Sequence, residues 1–248
     1  MPENQKIKRE AMRMVRMNRG KLIQISLIII LSGGTGLLGF ISTQAAIFAV
    51  SATLHTGAVV GTTAGVLKWI YLLLALHLLS SIWVGSFIEI GFARLLLHRT
   101  RGEAVPMEIL LFFRKRWLEA VMLRLLMTIK TLLWSMLFIF PGCFAMLRYA
   151  MAPYLMAQHP QMGAPEAIKV STHLMQGYKK KLFFLILSFA DEIIISILTL
   201  GIPFVYVVPR IEAAVAVFYW ERVALHDKQL RELERSVKRE EKKYNEGN

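Results

Sequence analysis

The chain has 248 residues, of which 55% are hydrophobic and 19% are charged, and its mean hydropathy is +0.48. Soluble domains average about 45–50% apolar residues and about a quarter charged residues, so this composition predicts a membrane protein. The net charge of +13 would suit nucleic acid, but the basic residues cluster in alternate connections between apolar runs. That pattern is typical of cytoplasmic loops, so it argues against nucleic acid and predicts attraction to the anionic headgroups of membrane lipids.

Residues 1–21 predict a basic amphipathic helix that lies on the cytoplasmic surface. One face of this helix carries Ile7, Ala11, Met14 and Asn18. The apolar run 22–42 exceeds the about 7–15 residues of a signal-peptide core, so we expect a retained first span. Its four glycines favour close helix packing.

The segment 43–66 contains no charged residue. It fits a small outer helix, a re-entrant piece, or extensions of spans 1 and 2. Its ladder of Gly57, Gly61 and Gly65 predicts close packing, with a dimer interface as the alternative. Span 2 is predicted over 67–97, which is longer than an upright crossing needs.

Residues 98–118 predict a short elbow helix on the inner surface, because Pro106 and Glu108 are typical of a helix start. Spans 3 and 4 are predicted over 119–140 and 143–158. Between them, Pro141-Gly142 is expected to reverse the chain at the outer face.

A second elbow is predicted over 159–181, broken at His159-Pro160 and restarted at Pro165. Spans 5 and 6 follow over 182–200 and 205–225. The tail 226–248 alternates acids and bases, which indicates a solvated helix or, as an alternative, a partner-binding one.

These elements predict an all-α fold: a polytopic membrane protein with six transmembrane helices, cytoplasmic elbow helices and both termini inside. Its parts are the interfacial helix 1–21, the membrane domain 22–225 and the charged tail 226–248. We expect the basic triplets at the ends of the elbows to contact lipid headgroups. They are Arg114, Lys115 and Arg116, and Lys179, Lys180 and Lys181.

Ionisable and polar groups within apolar runs are candidates for a substrate or ion path, because burying them in lipid is costly. The candidates are Arg124, Thr128, Lys130, Arg148, Ser188, Asp191, Glu192 and Glu212. Counting residues from the ends of the spans places some groups of opposite charge at the same depth, which suggests possible ion pairs. Lys130 matches Asp191 or Glu192 in depth, and Arg148 matches Glu212.

Two spans carry matching polar stripes at helical spacing. Span 3 has Arg124, Thr128, Thr131 and Ser135, and span 5 has Ser188, Glu192, Ser196 and Thr199. Such stripes form either a hydrogen-bonded seam between helices or a polar path for a solute or a lipid headgroup.

Enzyme signals are weak. The six histidines show no HExxH spacing, and no Gly-x-Ser-x-Gly motif occurs. The single cysteine, Cys143, excludes an intramolecular disulfide and a cysteine metal cluster. We therefore expect no metal, no cofactor and no enzymatic activity.

The segment from Phe140 to Tyr219 resembles the bacterial membrane proteins grouped as "domain of unknown function 975". The resemblance is carried by Pro141-Gly142, Arg148-Tyr149-Ala150-Met151-Ala152-Pro153-Tyr154, His159-Pro160, Leu174-Met175-Gln176-Gly177-Tyr178-Lys179, Leu187-Ser188-Phe189 and Leu198-Thr199-Leu200-Gly201-Ile202. That family is similar to the membrane domain of glycerophosphodiester phosphodiesterases. The resemblance implies a six-helix protein of the bacterial cytoplasmic (inner) membrane with kinked helices, and it implies no known reaction. The chain departs from the family pattern at Asp191-Glu192 and at Arg210.

Together these features predict a non-enzymatic membrane scaffold or regulator, which could act as a homo-oligomer or with another membrane protein. The alternative is a small transporter or lipid translocator that uses the polar faces of spans 3 and 5.

Overall fold

The computed structural model describes residues 2–17, 20, 22–25, 63–103, 106–137, 139–199 and 203–224. Within these ranges all regular structure is helical, which confirms the predicted all-α class. Most of predicted span 1, most of the segment 43–66 and the tail 226–248 lie outside the described residues.

The described α-helices are numbered here in chain order. They are α1, Pro2–Met17; α2, Thr63–Thr100; α3, Trp117–Leu137; α4, Ile139–Tyr149; α5, Ala152–Gln158; α6, Ala164–Leu174; α7, Lys179–Leu187; α8, Ala190–Leu198; and α9, residues 204–224. A 3-10 helix, Met107–Arg116, lies between α2 and α3. None of the helices in the described ranges combines the length and the apolar character that crossing a membrane requires.

Helix α1 confirms the predicted N-terminal helix and its apolar face. Ile7, Ala11 and Met14 are all buried, because their spacing places them on one side of the helix. The helix packs against α7 and α2, and the Lys8 ammonium lies 4.3 Å from the centre of the Phe189 ring. The interfacial position of this helix stays a prediction.

Helices α3 and α4 form the predicted hairpin, and they run antiparallel. Gly142 packs against Ser135, whereas Tyr149, later in α4, faces Lys130, earlier in α3. The position of the reversal was predicted wrongly, because α4 already begins at Ile139. Pro141 therefore lies in the first turn of a helix, where its missing N–H costs nothing. Gly142 serves the close approach, since an added Cβ would lie 3.0 Å from the Ser135 Cα.

Two predicted spans are broken. Span 4 is interrupted at Ala150-Met151, where α5 begins with Pro153 in its first turn. Proline cannot donate to the preceding turn, so the helix bends there. Span 5 is interrupted at Ser188-Phe189, where the Ser188 hydroxyl donates to the Leu185 carbonyl at 2.6 Å. These breaks agree with the kinked helices that the family resemblance implies.

The two predicted elbows are helical. In the first, the 3-10 helix lies against α2, and an added Cβ on Gly91 would approach the Leu110 carbonyl carbon to 2.6 Å. In the second, α6 begins at Ala164 with Pro165 in its first turn, as predicted. The Ala164 N–H donates to the Glu119 carboxylate at 3.2 Å, which ties the start of α6 to the start of α3.

The core of the described chain is apolar, and its buried side chains come from α1 to α7, from α9 and from the 3-10 helix. Its largest fully buried side chains include Tyr219, Phe92, Phe113, Phe189 and Phe218. In contrast, α3 turns an apolar stripe outward. The side chains of this stripe are 40% to 63% exposed, and they are Leu118, Met122, Leu125, Ile129, Leu132 and Leu133.

Candidate functional site: a polar cavity among α2, α3, α5 and α9

The first component of the site is an ion pair between α2 and α3. Arg124 donates from Nη1 to Glu89 Oε2 at 2.7 Å, and both side chains are only 12% exposed. A charged group removed from water needs a partner of opposite charge in good geometry. The pair therefore fixes how α2 and α3 face each other.

The second component joins α5 to α9. The Tyr154 hydroxyl donates to Glu212 Oε2 at 2.7 Å, and the Tyr154 ring stacks on Tyr219 with 5.8 Å between ring centres. The Tyr219 hydroxyl contacts the Gln158 side chain one turn further along α5. Two tyrosines thus bring polar groups of α5 and α9 together within an apolar surrounding.

These two components face one cavity of about 160 Å³. Its polar lining consists of Ser86, Glu89, Arg124, Thr128, Thr131, Tyr154 and Glu212, and the rest of its lining is apolar. An engineered apolar cavity of about 150 Å³ is large enough to hold benzene, so this cavity has room for a small molecule. Leu125 lines the cavity and is also exposed on the outer side of α3.

The cavity offers two carboxylates, one guanidinium and several hydroxyls on an apolar wall. A few convergent polar groups in an apolar pocket are typical of small-molecule sites. No group of three or more possible metal ligands occurs among the described residues. The geometry therefore suits binding of a small amphiphilic or polar molecule.

The structure brings together three of the predicted path residues. Arg124, Thr128 and Glu212 all line the cavity. Lys130 and Arg148 lie elsewhere, in the groove between α3 and α4. Asp191 is exposed on α8.

The two depth-matched pairs are wrong. Glu192 accepts from Arg210 Nη1 at 2.8 Å, where Lys130 had been expected, and Glu212 accepts from Tyr154 rather than from Arg148. Depth was counted along continuous helices, and the breaks at Ala150-Met151 and Ser188-Phe189 redirect the chain.

The two predicted polar stripes behave differently. Thr128 and Thr131 of span 3 line the cavity. In span 5, the hydroxyls of Ser188, Ser196 and Thr199 each donate to a carbonyl of the preceding turn. The three hydroxyls of the span 5 stripe are therefore bonded within their own segment, whereas Glu192 bonds to Arg210 on α9. None of these four residues lines the cavity.

Some side chains of the basic triplets are exposed, and others bond to neighbouring residues of the protein. Arg114, Lys115 and Lys180 are exposed. Arg116 donates to the Pro160 carbonyl, and Lys181 lies 3.3 Å from Glu221. Contact with lipid headgroups stays a prediction for this set, with Lys179 half-buried.

Glu89 and Tyr154 are cavity residues that the sequence reasoning did not select. Glu89 stands in an apolar run, so the cost of burying a carboxylate was a usable signal. Tyr154 gave none, because a tyrosine near the end of a span is ordinary.

Residues 138–225 match the model of the family described as "Protein of unknown function (DUF975)". The match spans α4 to α9, and it supports the resemblance seen in that segment. It includes Tyr154 and Glu212 but excludes Glu89 and Arg124. No curated protein and no solved structure matches the chain.

Proposed function

We propose that this chain is a multi-pass protein of the bacterial cytoplasmic membrane that acts as a non-enzymatic scaffold or regulator. Six spans with both termini inside, and kinship with the membrane domain of glycerophosphodiester phosphodiesterases, belong to the same proposal. Its expected contacts are anionic lipid headgroups on the basic elbows, and a second copy or another membrane protein on its helices.

The observation that carries this proposal is the outward apolar stripe of α3. A helix on the surface of a soluble protein turns its polar face to water, whereas this one exposes Leu118, Ile129 and Leu133. Soluble monomers rarely expose apolar patches larger than a few hundred Å². Hydrocarbon around α3 accounts for the stripe directly.

Two further exposed apolar surfaces support the proposed membrane location. On α7, Phe183, Phe184 and Leu187 are exposed, and on α8, Ile194 and Leu198 are exposed. Basic side chains border the start of both α3 and α7, which is where a positive-inside protein would meet the cytoplasmic headgroups.

Photo-crosslinking in intact bacterial cells tests this proposal. A photoreactive residue at Leu125 or Ile129 should give phospholipid adducts, whereas the buried Leu123 serves as the control. At an exposed position of the elbow, Lys115, we expect a protein adduct of discrete mass. Absence of lipid adducts on the stripe would contradict the membrane location, and absence of protein adducts at all of these positions would contradict the scaffold role.

A second candidate function is a small transporter or lipid translocator, and the cavity favours it. The path would use the polar face of span 3, with Glu89, Tyr154 and Glu212 in place of the span 5 stripe. After Cys143→Ser, single cysteines at Thr128 and Thr131 test this candidate. They should react with a small water-soluble thiol reagent, while Ser196→Cys, at a fully buried position, stays protected. Equal protection at all three positions would contradict a path.

A further inference from the structure

A cluster of cations lies apart from the cavity, in the groove between α3 and α4. Lys130 and Trp134 stand one turn apart on α3, and Arg148 and Tyr149 are neighbours on α4. The Lys130 Nζ lies 6.0 Å from the centre of the Tyr149 ring, and the Arg148 Cζ lies 5.8 Å from the centre of the Trp134 ring. The two crossed contacts place both cations in the same groove.

A third cation approaches from the first turn of α7. Lys179 is half-buried, and its pKa is lowered, first by desolvation and then by the positive charge of Arg148. Lys179 stands in the first turn of α7, and α7 packs against α4, which carries Arg148. Three helices therefore deliver three positive charges to one region.

These three cations differ from three other basic groups, which lie on α3, α7 and α9. Arg124, Arg210 and Lys181 each lie within 3.3 Å of a carboxylate. Among the described residues, no ion pair involves Lys130, Arg148 or Lys179. In addition, the Arg148 Nε is buried without a hydrogen-bond partner. A buried donor without a partner is unfavourable, so a bound anion would satisfy a group that has no partner among the described residues.

The chemistry of the three side chains selects the kind of anion. A guanidinium presents a planar fork of donors that matches phosphate, and lysine adds a mobile point charge. Trp134 and Tyr149 border the cluster, and the faces of their rings attract the two cations. Next to Trp134, Leu133 belongs to the outward apolar stripe, which could hold acyl chains.

We propose that Lys130, Arg148 and Lys179 form a binding site for a phosphate-type anion, supplied either by the phosphodiester of an anionic lipid or by free phosphate. The lipid source rests on the proposed membrane location, whereas the anion site itself does not. The site adds a specific ligand chemistry to a protein proposed as a scaffold.

The test uses the full-length protein purified in detergent and compares wild type with Arg148→Gln, Lys130→Gln and Lys179→Gln. Binding is measured by thermal stabilisation on titration with phosphatidylglycerol, with phosphatidylcholine, and separately with inorganic phosphate. Lys169→Gln is the matched control, because this lysine of α6 is exposed and lies outside the basic triplets. A charge-assisted hydrogen bond is worth about 1.5–3 kcal/mol, so each variant of the site should bind the anion about 10- to 150-fold more weakly, with Lys169→Gln unchanged.

The two ligand sources give different outcomes. If binding depends on Arg148 for phosphatidylglycerol alone, the ligand is a lipid headgroup. If binding of inorganic phosphate also depends on Arg148, the ligand is a free anion. If Arg148→Gln and Lys169→Gln bind both ligands as wild type does, the site is overturned. Arg148→Lys keeps the charge but loses the planar set of guanidinium donors. It should bind the anion with intermediate affinity, which would show that the weaker binding of Arg148→Gln is not due to misfolding. Phosphate binding by a protein that proved not to be in the membrane would overturn the proposed function and leave the anion site standing.

Discussion

Arg124 of α3 bonds to Glu89 of α2 across 2.7 Å, although the two residues lie 35 positions apart in the chain. This ion pair stands at the wall of the cavity. It links the long helix α2 to the hairpin of α3 and α4, so it holds the cavity in shape as well as supplying part of its charge.

Replacing Arg124 with glutamine should destabilise the fold. Removing one partner of a buried ion pair costs about 3–5 kcal/mol, because the other charge stays in the interior. The double variant Glu89→Gln, Arg124→Gln should be more stable than the single one. Denaturant unfolding in a fixed detergent measures the free energy of unfolding of both variants. Arg114→Gln, at an exposed position, is the control. A single variant as stable as Arg114→Gln would show that the pair does not support the fold.

Tyr154→Phe should weaken the contact between α5 and α9. The variant keeps the ring stacked on Tyr219 and removes only the hydroxyl that donates to Glu212. A hydrogen bond to a charged group contributes about 1.5–3 kcal/mol. The free energy of unfolding should fall by that amount, and by much less for the exposed Tyr206→Phe. Equal effects of the two substitutions would argue against this bond.

Gly91→Ala should separate the first elbow from α2. The added Cβ would lie 2.6 Å from the Leu110 carbonyl carbon, which is backbone and cannot rotate away. Overpacking of this kind costs about 1–3 kcal/mol. At Gly163 an added Cβ meets only Pro165 Cδ, at 3.9 Å, so Gly163→Ala is the matched control. Thermal unfolding should show a loss for Gly91→Ala only, and equal melting temperatures would contradict the close approach.

The lowered pKa of Lys179 predicts a rise of stability with pH. Between that lowered pKa and the usual value of 10.5, the unfolded chain binds a proton that the folded chain does not hold. The free energy of unfolding therefore increases with pH across this window. Comparing wild type with Lys179→Gln, at several pH values and without phosphate, isolates the contribution of Lys179 to the free energy of unfolding. Lys180→Gln corrects for the loss of one lysine, and a constant difference between wild type and Lys179→Gln would contradict the assignment.

Local sequence patterns predicted the helices better than they predicted which helices contact each other. The N-terminal helix α1, its buried face at Ile7, Ala11 and Met14, and the helix start at Pro165 all followed from spacing and from proline chemistry. The hairpin of α3 and α4 was predicted too, but its reversal was misplaced because Pro141 was read as a turn residue. The structure uses it at a helix start, which is the other position that tolerates proline.

The cavity was only partly predictable. The cost of burying polar groups pointed to Arg124, Thr128 and Glu212, and it should have pointed to Glu89. The partners were not predictable, because they depend on which helices touch and on where each helix bends. The short helices α5 and α8 begin after breaks at Ala150-Met151 and Ser188-Phe189, so depth counted along straight spans gave the wrong pairs.

The central claim is that hydrocarbon surrounds the outward stripe of α3. Alkaline carbonate extraction of bacterial membranes that contain the native chain tests it most directly. We expect the protein to stay in the membrane pellet and to enter solution only with detergent, because carbonate does not remove helices embedded in lipid. Recovery of the intact chain from the carbonate supernatant as a stable monomer, without detergent, would contradict the account.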